Sequence, residues 1–382
     1  MKTFTKFIIL LFFISIVGLQ KISAEEIKIG LLVPLSGKNS MIGKSIIKSI
    51  RIAINKINNP SIEIVPKDTK SNPEITLREA KKLNNQGIKI IIGPVFNENL
   101  IYLDELDEVI FLSLTNKSID NPKNIISAGI NATSQLNTIS KFQKINNLKK
   151  TIFLIPKENY KEEIEKAIKK SKIKTSNVYY YDSDPTKLTK QIENITKYPQ
   201  RKQNLKDEIL RLENSDDVNK ERKIEKLKKK DTIGKINFDS ILIADFDETL
   251  KSITTSLLYT DVSPKEVYYI TLNQWFDESL LKETSSQPIY FPSINKENYT
   301  IFTKDYYEKF NEYPNQLSFL SYDLIGLIYY LISKNNFIID EKIFLKKNKF
   351  KGKVGVFQIQ DNKINHILNF YKVENSNFKK IF

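Results

Sequence analysis

The sequence predicts an α/β protein made of two lobes, each a doubly wound parallel sheet covered by helices. Short apolar runs alternate with helix-length amphipathic segments, which is the pattern of β-α-β units. The runs are apolar on both faces, as strands with helices on both sides require. The alternation stops near residue 146 and resumes near 151, and a chain of 382 residues is long enough for two such sheets.

Residues 1–24 are predicted to be a cleavable signal peptide. Lys2 and Lys6 give a positive start, residues 7–19 are an unbroken apolar run, and Ala24 is a small residue before the expected cut. That run is shorter than the roughly 20 residues that a membrane-spanning helix needs; an uncleaved anchor is the alternative. We therefore expect the exported chain to lie in the periplasm, with no transmembrane segment after residue 24.

The N-terminal lobe is expected to begin with residues 25–146. Its apolar runs predict strands at 26–34, 62–66, 88–92 and 109–114, and its amphipathic segments predict helices at 41–57 and 74–85. In the first helix, Ile46, Ile50 and Ala53 fall on one face, as in a helix that packs on a sheet. The chain is expected to return to this lobe over about 277–345.

The C-terminal lobe is expected over 147–276 and again over about 346–382. The first part predicts strands at 151–155, 177–181, 238–244 and 267–272 and a helix at 160–171, and in the last part 352–359 and 364–373 predict a hairpin. A charged insertion at 198–232 breaks the pattern. From Arg201 to Lys230 it carries eleven basic and seven acidic residues, with a thin apolar stripe at helical spacing. It predicts a pair of helices that are either a solvated excursion or a partner-binding surface.

The composition excludes several kinds of site. The chain has no cysteine and a single histidine, His366, so thiolate sites and histidine clusters for a metal are ruled out. The loop at 36–45 is close to a phosphate-binding loop, but it has five residues between its glycines and the motif has four. We expect no metal, no cofactor and no enzymatic activity. A carbohydrate hydrolase that uses acids such as Asp245 and Asp247 is the alternative.

The chain is basic, with a formal net charge of +15, but nearly all of its positive charge is lysine. Arginine is the side chain that specific phosphate and base recognition favours, and it occurs at five positions only. We therefore expect a solvated lysine surface and no nucleic-acid partner.

Short motifs follow one another in a definite order along the chain. They lie at residues 29–37 with Gly43, at 67–74, at 91–94, at 112–113, at 321–323 and at 352–355. In order and spacing they resemble the type I periplasmic binding proteins, the leucine-binding protein superfamily, over almost the whole chain after residue 24. The resemblance implies the type I periplasmic-binding-protein fold, in which two lobes are joined by a hinge and enclose a ligand cleft.

Within this superfamily, the charged insertion and residues 274–277 look more like the penicillin-binding-protein activators, which assist cell-wall synthases. The missing lipid-attachment cysteine departs from activators that are anchored in the outer membrane. The alternative is a solute receptor of an ABC transporter for branched-chain amino acids, amides or a related small polar solute. The expected partners are accordingly a periplasmic cell-wall synthase or an ABC permease, together with a small polar ligand.

Ligands of open α/β sheets bind beyond the carboxyl ends of the strands, and two facing lobes would close on one cleft. The candidate ligand-binding residues of the first lobe are Ser36, Gly37, Phe96, Asn97, Thr115 and Asn116. Those of the second lobe are Tyr160, Asp245, Phe246, Gln274 and Trp275. Resemblance to amino-acid receptors implies that Asn97 and Thr115 hold the ligand's polar backbone, whereas Lys117 would repel an α-ammonium group. The alternative for each residue is a polar loop position without a ligand.

Overall fold

The structure is a computed structural model that describes residues 26–117, 121–157, 160–272, 275–360 and 362–382. The predicted signal peptide at 1–24 and the candidate residue Gln274 lie outside the described residues.

Strands and helices alternate along most of the chain. The strands are β1 (Ile27–Val33), β2 (Ile62–Asp68), β3 (Ile90–Ile92), β4 (Ile110–Ser113), β5 (Ile125–Ser127), β6 (Thr151–Pro156), β7 (Asn177–Tyr181), β8 (Ser240–Ile243), β9 (Tyr268–Thr271), β10 (Ile289–Ser293), β11 (Asn348–Lys351), β12 (Val356–Gln360), β13 (Lys363–Ile367), β14 (Asn369–Glu374) and β15 (Asn377–Lys380). The α-helices are α1 (Ser40–Ile57), α2 (Pro73–Asn85), α3 (Ala132–Ile145), α4 (Lys161–Lys170), α5 (Pro185–Ile195), α6 (Tyr198–Glu213), α7 (Lys220–Lys228), α8 (Asp247–Tyr259), α9 (Ser279–Lys282), α10 (Lys296–Phe310) and α11 (Gln316–Lys334).

The strands form two sheets, one in each lobe. The first has the order β11-β12-β13-β5-β4-β3-β1-β2, and the second has the order β15-β14-β10-β9-β8-β6-β7. Strands β1 to β5 pair in parallel with their neighbours, as do β6 to β10, and the antiparallel pairs lie at one edge of each sheet. The predicted fold of two doubly wound α/β lobes is confirmed.

The lobe bounds differ from those expected from the sequence. Helix α3 packs on the second sheet, where Leu136 and Ile139 join Phe153 in one buried cluster, so the first lobe ends near residue 130 and not 146. Strand β10 pairs with β9, so the chain returns to the first lobe after Ser293 and not near 277. In both places an amphipathic or apolar segment suits either sheet equally, and its polarity carries no information on which one it joins.

The final segment, expected as one hairpin of the C-terminal lobe, is divided between the lobes. Strands β11 to β13 belong to the first sheet, where Lys363 of β13 pairs with Ser127 of β5. Strands β14 and β15 belong to the second sheet, through the pairing of β14 with β10. The run 364–373 therefore crosses between the sheets at Leu368. The sequence does not indicate this crossing, since it has no glycine or proline there and the alternation of buried residues is the same in both strands.

Helix α11 is the central helix of the first lobe. Among the described residues it is the one helix that is long and apolar enough to span a membrane by length and composition. A buried core helix meets the same criterion, so the expectation of no transmembrane segment after residue 24 stays a prediction. Most of the helix is buried, it packs against α1, and the Ser49 hydroxyl of α1 donates to the Ser318 carbonyl at 2.6 Å. Burial in the core accounts for its apolar sequence.

Asp323 ties α11 to the turn between β11 and β12. Its carboxylate accepts the N–H groups of Lys353 at 2.8 Å and of Val354 at 2.6 Å, and Asp323 is 4% exposed. A Cβ atom at Gly352 would overlap this carboxylate, which explains the glycine at that position. Burial raises the pKa of Asp323 to about 7, and the two N–H donors oppose the rise.

We expect Asp323→Ala to lower the free energy of unfolding by about 3 kcal/mol, because two backbone donors lose their acceptor. Asp305→Ala is the matched control. It removes a partly exposed carboxylate that pairs with Lys56, and its cost should stay below about 1 kcal/mol. Urea unfolding of the exported protein measures both, and equal losses would contradict this role of Asp323.

Candidate functional site

A cleft of about 420 Å³ lies between the two lobes. Of the candidate ligand-binding residues, those that line it are Phe96, Asn97, Thr115, Asn116, Tyr160, Phe246 and Trp275. The first four follow β3 and β4 of the first sheet, and Tyr160 and Phe246 follow β6 and β8 of the second. Because all four strands are parallel members of their sheets, the strand ends of both lobes converge on one space.

Ser36 and Gly37 are not among the residues that line the cleft. The Ser36 hydroxyl donates to Asp68 at 2.7 Å, and the Leu35 N–H donates to the same carboxylate at 2.8 Å. Both contacts fasten the loop after β1 to the end of β2. Gly37 is exposed and has a φ of 75°, in the left-handed region that favours glycine. In this conformation the two residues shape the loop near the strand ends.

Asp245 lies behind the cleft and holds its lining. The carboxylate accepts the hydroxyls of Tyr181 at 2.5 Å and Tyr160 at 3.2 Å, and the Phe246 N–H at 3.0 Å. Burial raises the pKa of Asp245, although these three donors oppose the rise. Burial and the Asp245 charge both raise the pKa of Tyr160, so Tyr160 remains a neutral donor. Asp245 therefore positions Tyr160 and Phe246.

Aromatic rings from both lobes line the cleft. Tyr160 and Phe246 are stacked, with ring centroids 6.4 Å apart and planes at 24°, and Phe246 is 37% exposed. Trp275, the only tryptophan of the chain, lies between β9 and β10 of the second sheet and contributes a third ring. Phe96 faces them from the first lobe. Such rings offer flat apolar surfaces to a ligand.

The first lobe supplies polar groups. Thr115 is 5% exposed, and its hydroxyl oxygen accepts the Lys117 N–H at 3.2 Å. The Oδ1 atom of Asn97 is buried and has no hydrogen-bond partner among the described residues. An unpaired buried acceptor costs about 1–3 kcal/mol, so Asn97 is a ready acceptor for a ligand donor or a water molecule.

Several lining residues were not predicted as site residues. Gln135 of α3, Glu163 of α4, and Leu317 and Leu320 of α11 reach the cleft from helix ends, and Ser293 comes from the end of β10. For Glu163 a signal existed, because it lies in the first turn of a helix that follows a strand end. The leucines of α11 carried no signal, since their spacing is that of core residues.

We expect Asp245→Ala to lower the free energy of unfolding by about 2–3 kcal/mol, because the buried Tyr181 hydroxyl loses its partner. Glu248→Ala, which removes an 87% exposed carboxylate from the first turn of α8, should change the free energy of unfolding by less than about 0.5 kcal/mol. Guanidinium unfolding of both variants decides the matter. Similar small changes in the two would show that Asp245 does not hold the cleft wall.

Part of this chain resembles a known protein family. Residues 26–195 match the family model described as periplasmic binding protein. A search of the curated proteins finds no sequence that matches this chain.

Solved structures match over nearly the whole chain. LivJ of Streptococcus pneumoniae, a branched-chain amino acid transporter substrate-binding protein in complex with isoleucine, has 16% identity and a TM-score of 0.54, and the match covers 93% of this chain and 98% of that one. The C-domain of LpoA from Haemophilus influenzae, a regulator of PBP1A, has 14% identity and a TM-score of 0.61, with 93% and 100% covered. A solute-binding protein from Rhodopseudomonas palustris in complex with 3,4-dihydroxybenzoic acid has 16% identity and a TM-score of 0.55, with 91% and 92% covered. At these identities the likeness establishes the fold.

Proposed function

Because the chain has the type I periplasmic binding protein fold, we propose that it is a non-enzymatic binding protein of the periplasm that closes its two lobes on a small ligand. The observation that carries this proposal is the interlobe cleft, with polar and aromatic groups from both lobes around it. Its volume of about 420 Å³ lies within the roughly 300–1,000 Å³ of small-molecule sites.

The lining indicates a ligand with a flat apolar body and a polar end. Tyr160, Phe246 and Trp275 suit the flat body, and Asn97 and Thr115 suit hydrogen-bonding groups. Lys117 also lines the cleft and favours a carboxylate over an ammonium group at its position. A ligand carboxylate therefore fits near Lys117, whereas Glu98 and Glu163, which also line the cleft, favour hydrogen-bond donors near them.

Trp275 is the natural reporter of this cleft. We expect at least one compound from a panel of benzoates, branched-chain amino acids, amides and cell-wall peptides to change its fluorescence and to raise the melting temperature. A ligand at about a hundred times its Kd adds about 2.7 kcal/mol of stability. Phe246→Ala should raise the Kd about tenfold, since the cleft loses an aromatic ring that stacks on Tyr160 and is available to the ligand.

Tyr330→Ala is the control for this variant. Tyr330 is 39% exposed, close to the value for Phe246, and lies at the end of α11 remote from Leu317 and Leu320. We expect the Tyr330→Ala variant to bind the same ligand with the Kd of the unchanged protein. A panel without any binder, or a binder unaffected by Phe246→Ala, would contradict ligand capture in the cleft.

We propose that the protein has a role of the penicillin-binding-protein-activator type, which assists cell-wall synthesis. The charged pair of helices α6 and α7, which forms the insertion predicted at 198–232, favours this role. The base of the pair is fixed: Arg201 is 5% exposed and donates to the carbonyls of Thr196 and Thr260 and to the Thr232 hydroxyl. Its outer helix α7 contains no buried residue. A fixed base and an uncovered outer helix suit a protein-binding surface.

The outward face of α7 is basic. Ile224 and Leu227 are half-buried, and Arg222, Lys226 and Lys229 lie on the opposite side of the helix. Lys229 pairs with Glu225 at 3.4 Å, whereas Arg222 and Lys226 form no ion pair with a described residue. Seven of the eleven residues from 220 to 230 are basic, against 60 in the 382 of the chain, so overall composition does not explain this cluster. It favours a partner with an acidic surface.

We expect the exported protein, immobilised, to retain a cell-wall synthase labelled with fluorescent penicillin from an envelope extract. The double change Arg222→Glu and Lys226→Glu should reduce retention at least about tenfold, because two attractions become repulsions. The same double change at exposed Lys169 and Lys170 of α4 is the control and should have no effect.

Either of two results would contradict the activator role: no labelled protein is retained, or the α7 variant retains it as well as the control does. If the cleft binds a solute at the same time, the ABC-receptor role is favoured. Its partner would then be a membrane permease.

A further inference from the structure

A second cavity, here called the aromatic groove, lies next to the interlobe cleft and has no part in the function proposed above. It is open, has a volume of about 670 Å³ and is formed by α10, the 276–281 segment and the end of the β14–β15 turn. The chain separates the two spaces at one step, because Trp275 lines the cleft and Phe276 lines the groove.

Helix α10 presents one whole face to the groove. Lys296, Tyr299, Thr303 and Tyr307 recur at three- and four-residue spacing and line it, while Phe302 on another face is buried in the core of the first lobe. From the first to the last of the lining residues this face is about 18 Å long. The groove is therefore elongated and suits a ligand of several units.

Aromatic rings form the walls of the groove. Tyr307 and Tyr313 are paired with ring centroids 4.9 Å apart, and they are 42% and 75% exposed. Phe276 stacks on Tyr299 at 6.2 Å and 29°, and meets Phe378 edge-on at 5.5 Å. A pair of exposed, mutually supported tyrosines is an uncommon arrangement for a surface that meets only water.

The polar groups of the groove are balanced in charge. Lys296 and Lys304 are matched by Glu278 and Glu308, and Lys304 lies 3.8 Å from Glu308. Among the described lining residues, Leu281 is the one aliphatic side chain. A groove for an amphipathic helix needs a continuous hydrophobic surface, and a site for an anion needs excess positive charge. The groove has neither.

From these features we infer that the aromatic groove binds a neutral oligosaccharide. A sugar ring has an apolar C–H face, which packs on an aromatic ring, and a rim of hydroxyls, which exchange hydrogen bonds with tyrosine and threonine hydroxyls, amides and carboxylates. The α10 face is long enough for an oligosaccharide of several units. Tyr307 and Tyr313 are the stacking residues at one end of the groove, and the half-buried rings of Phe276 and Tyr299 support its wall.

The test is calorimetric titration of the exported protein with four neutral tetrasaccharides, those of N-acetylglucosamine, β-linked glucose, α-linked glucose and mannose. We expect at least one to bind. Tyr307→Ala and Tyr313→Ala should each raise its Kd about tenfold. Tyr307→Phe, which keeps the ring, should retain most of the affinity. The tetrasaccharide of glucosamine, which is cationic, should bind more weakly than its N-acetylated counterpart.

Two controls keep the groove separate from the cleft. Tyr102→Ala removes a 38% exposed tyrosine from the first lobe outside the groove and should leave the Kd unchanged. Phe246→Ala changes the cleft and should leave saccharide binding unchanged. The inference is overturned if no neutral tetrasaccharide binds at millimolar concentration, or if binding survives both tyrosine-to-alanine changes. It is also overturned if Phe246→Ala alone abolishes binding, because the sugar then occupies the cleft.

Discussion

A buried set of hydrogen bonds between the lobes determines where the cleft lies. The Asn131 amide donates to the Ile364 carbonyl at 2.9 Å and accepts the Ser134 N–H. The Ser134 hydroxyl accepts the His366 N–H at 2.8 Å, and the His366 ring contacts the Ala128 carbonyl at 3.0 Å. Burial lowers the pKa of His366 to about 4, so the ring is neutral at neutral pH and no charge is buried in the hinge.

These bonds link two of the three places where the described chain crosses between lobes. The first crossing is at 128–131, the second is at 294–295, and the third, at Leu368, directly follows β13. The hydrogen bonds join the first and third crossings, so two of the three connections between the lobes are fixed to each other. Asp245 and its two tyrosines give the cleft a firm wall on the second lobe.

The sequence was sufficient to predict the type of fold and many of its elements, but it did not predict α3, α8 or β10. The helices expected at 41–57, 74–85 and 160–171 lie within one residue of α1, α2 and α4, because their apolar periodicity is strong. It did not predict the course of the last segment, since 364–373 alternates in the same way on both sides of Leu368. The crossing there depends on long-range pairing of β13 with β5 and of β14 with β10.

The same limit applies to the cleft. A strand-end rule finds Asn97, Thr115, Tyr160 and Phe246 because it uses only the chain order of strands and loops. The rule includes Ser36, whose hydroxyl instead donates a hydrogen bond to Asp68. It omits Tyr181, whose hydroxyl donates to Asp245, a residue 64 positions away in the sequence. Which strand-end side chain faces the cleft is decided by such tertiary hydrogen bonds, and local pattern does not contain them.

The position of the charged pair constrains how ligand and partner could influence each other. Helices α6 and α7 are carried by the second lobe alone, and Arg201 anchors them to Thr260 at the end of α8. A partner that contacts only α7 meets the same surface in the open and closed states of the lobes. The partner therefore binds both states with equal affinity, and a ligand in the cleft cannot change the affinity of the protein for this partner. Ligand control of a partner therefore requires a contact with the first lobe as well. An activator that docks by α7 alone would work equally with its cleft empty or filled.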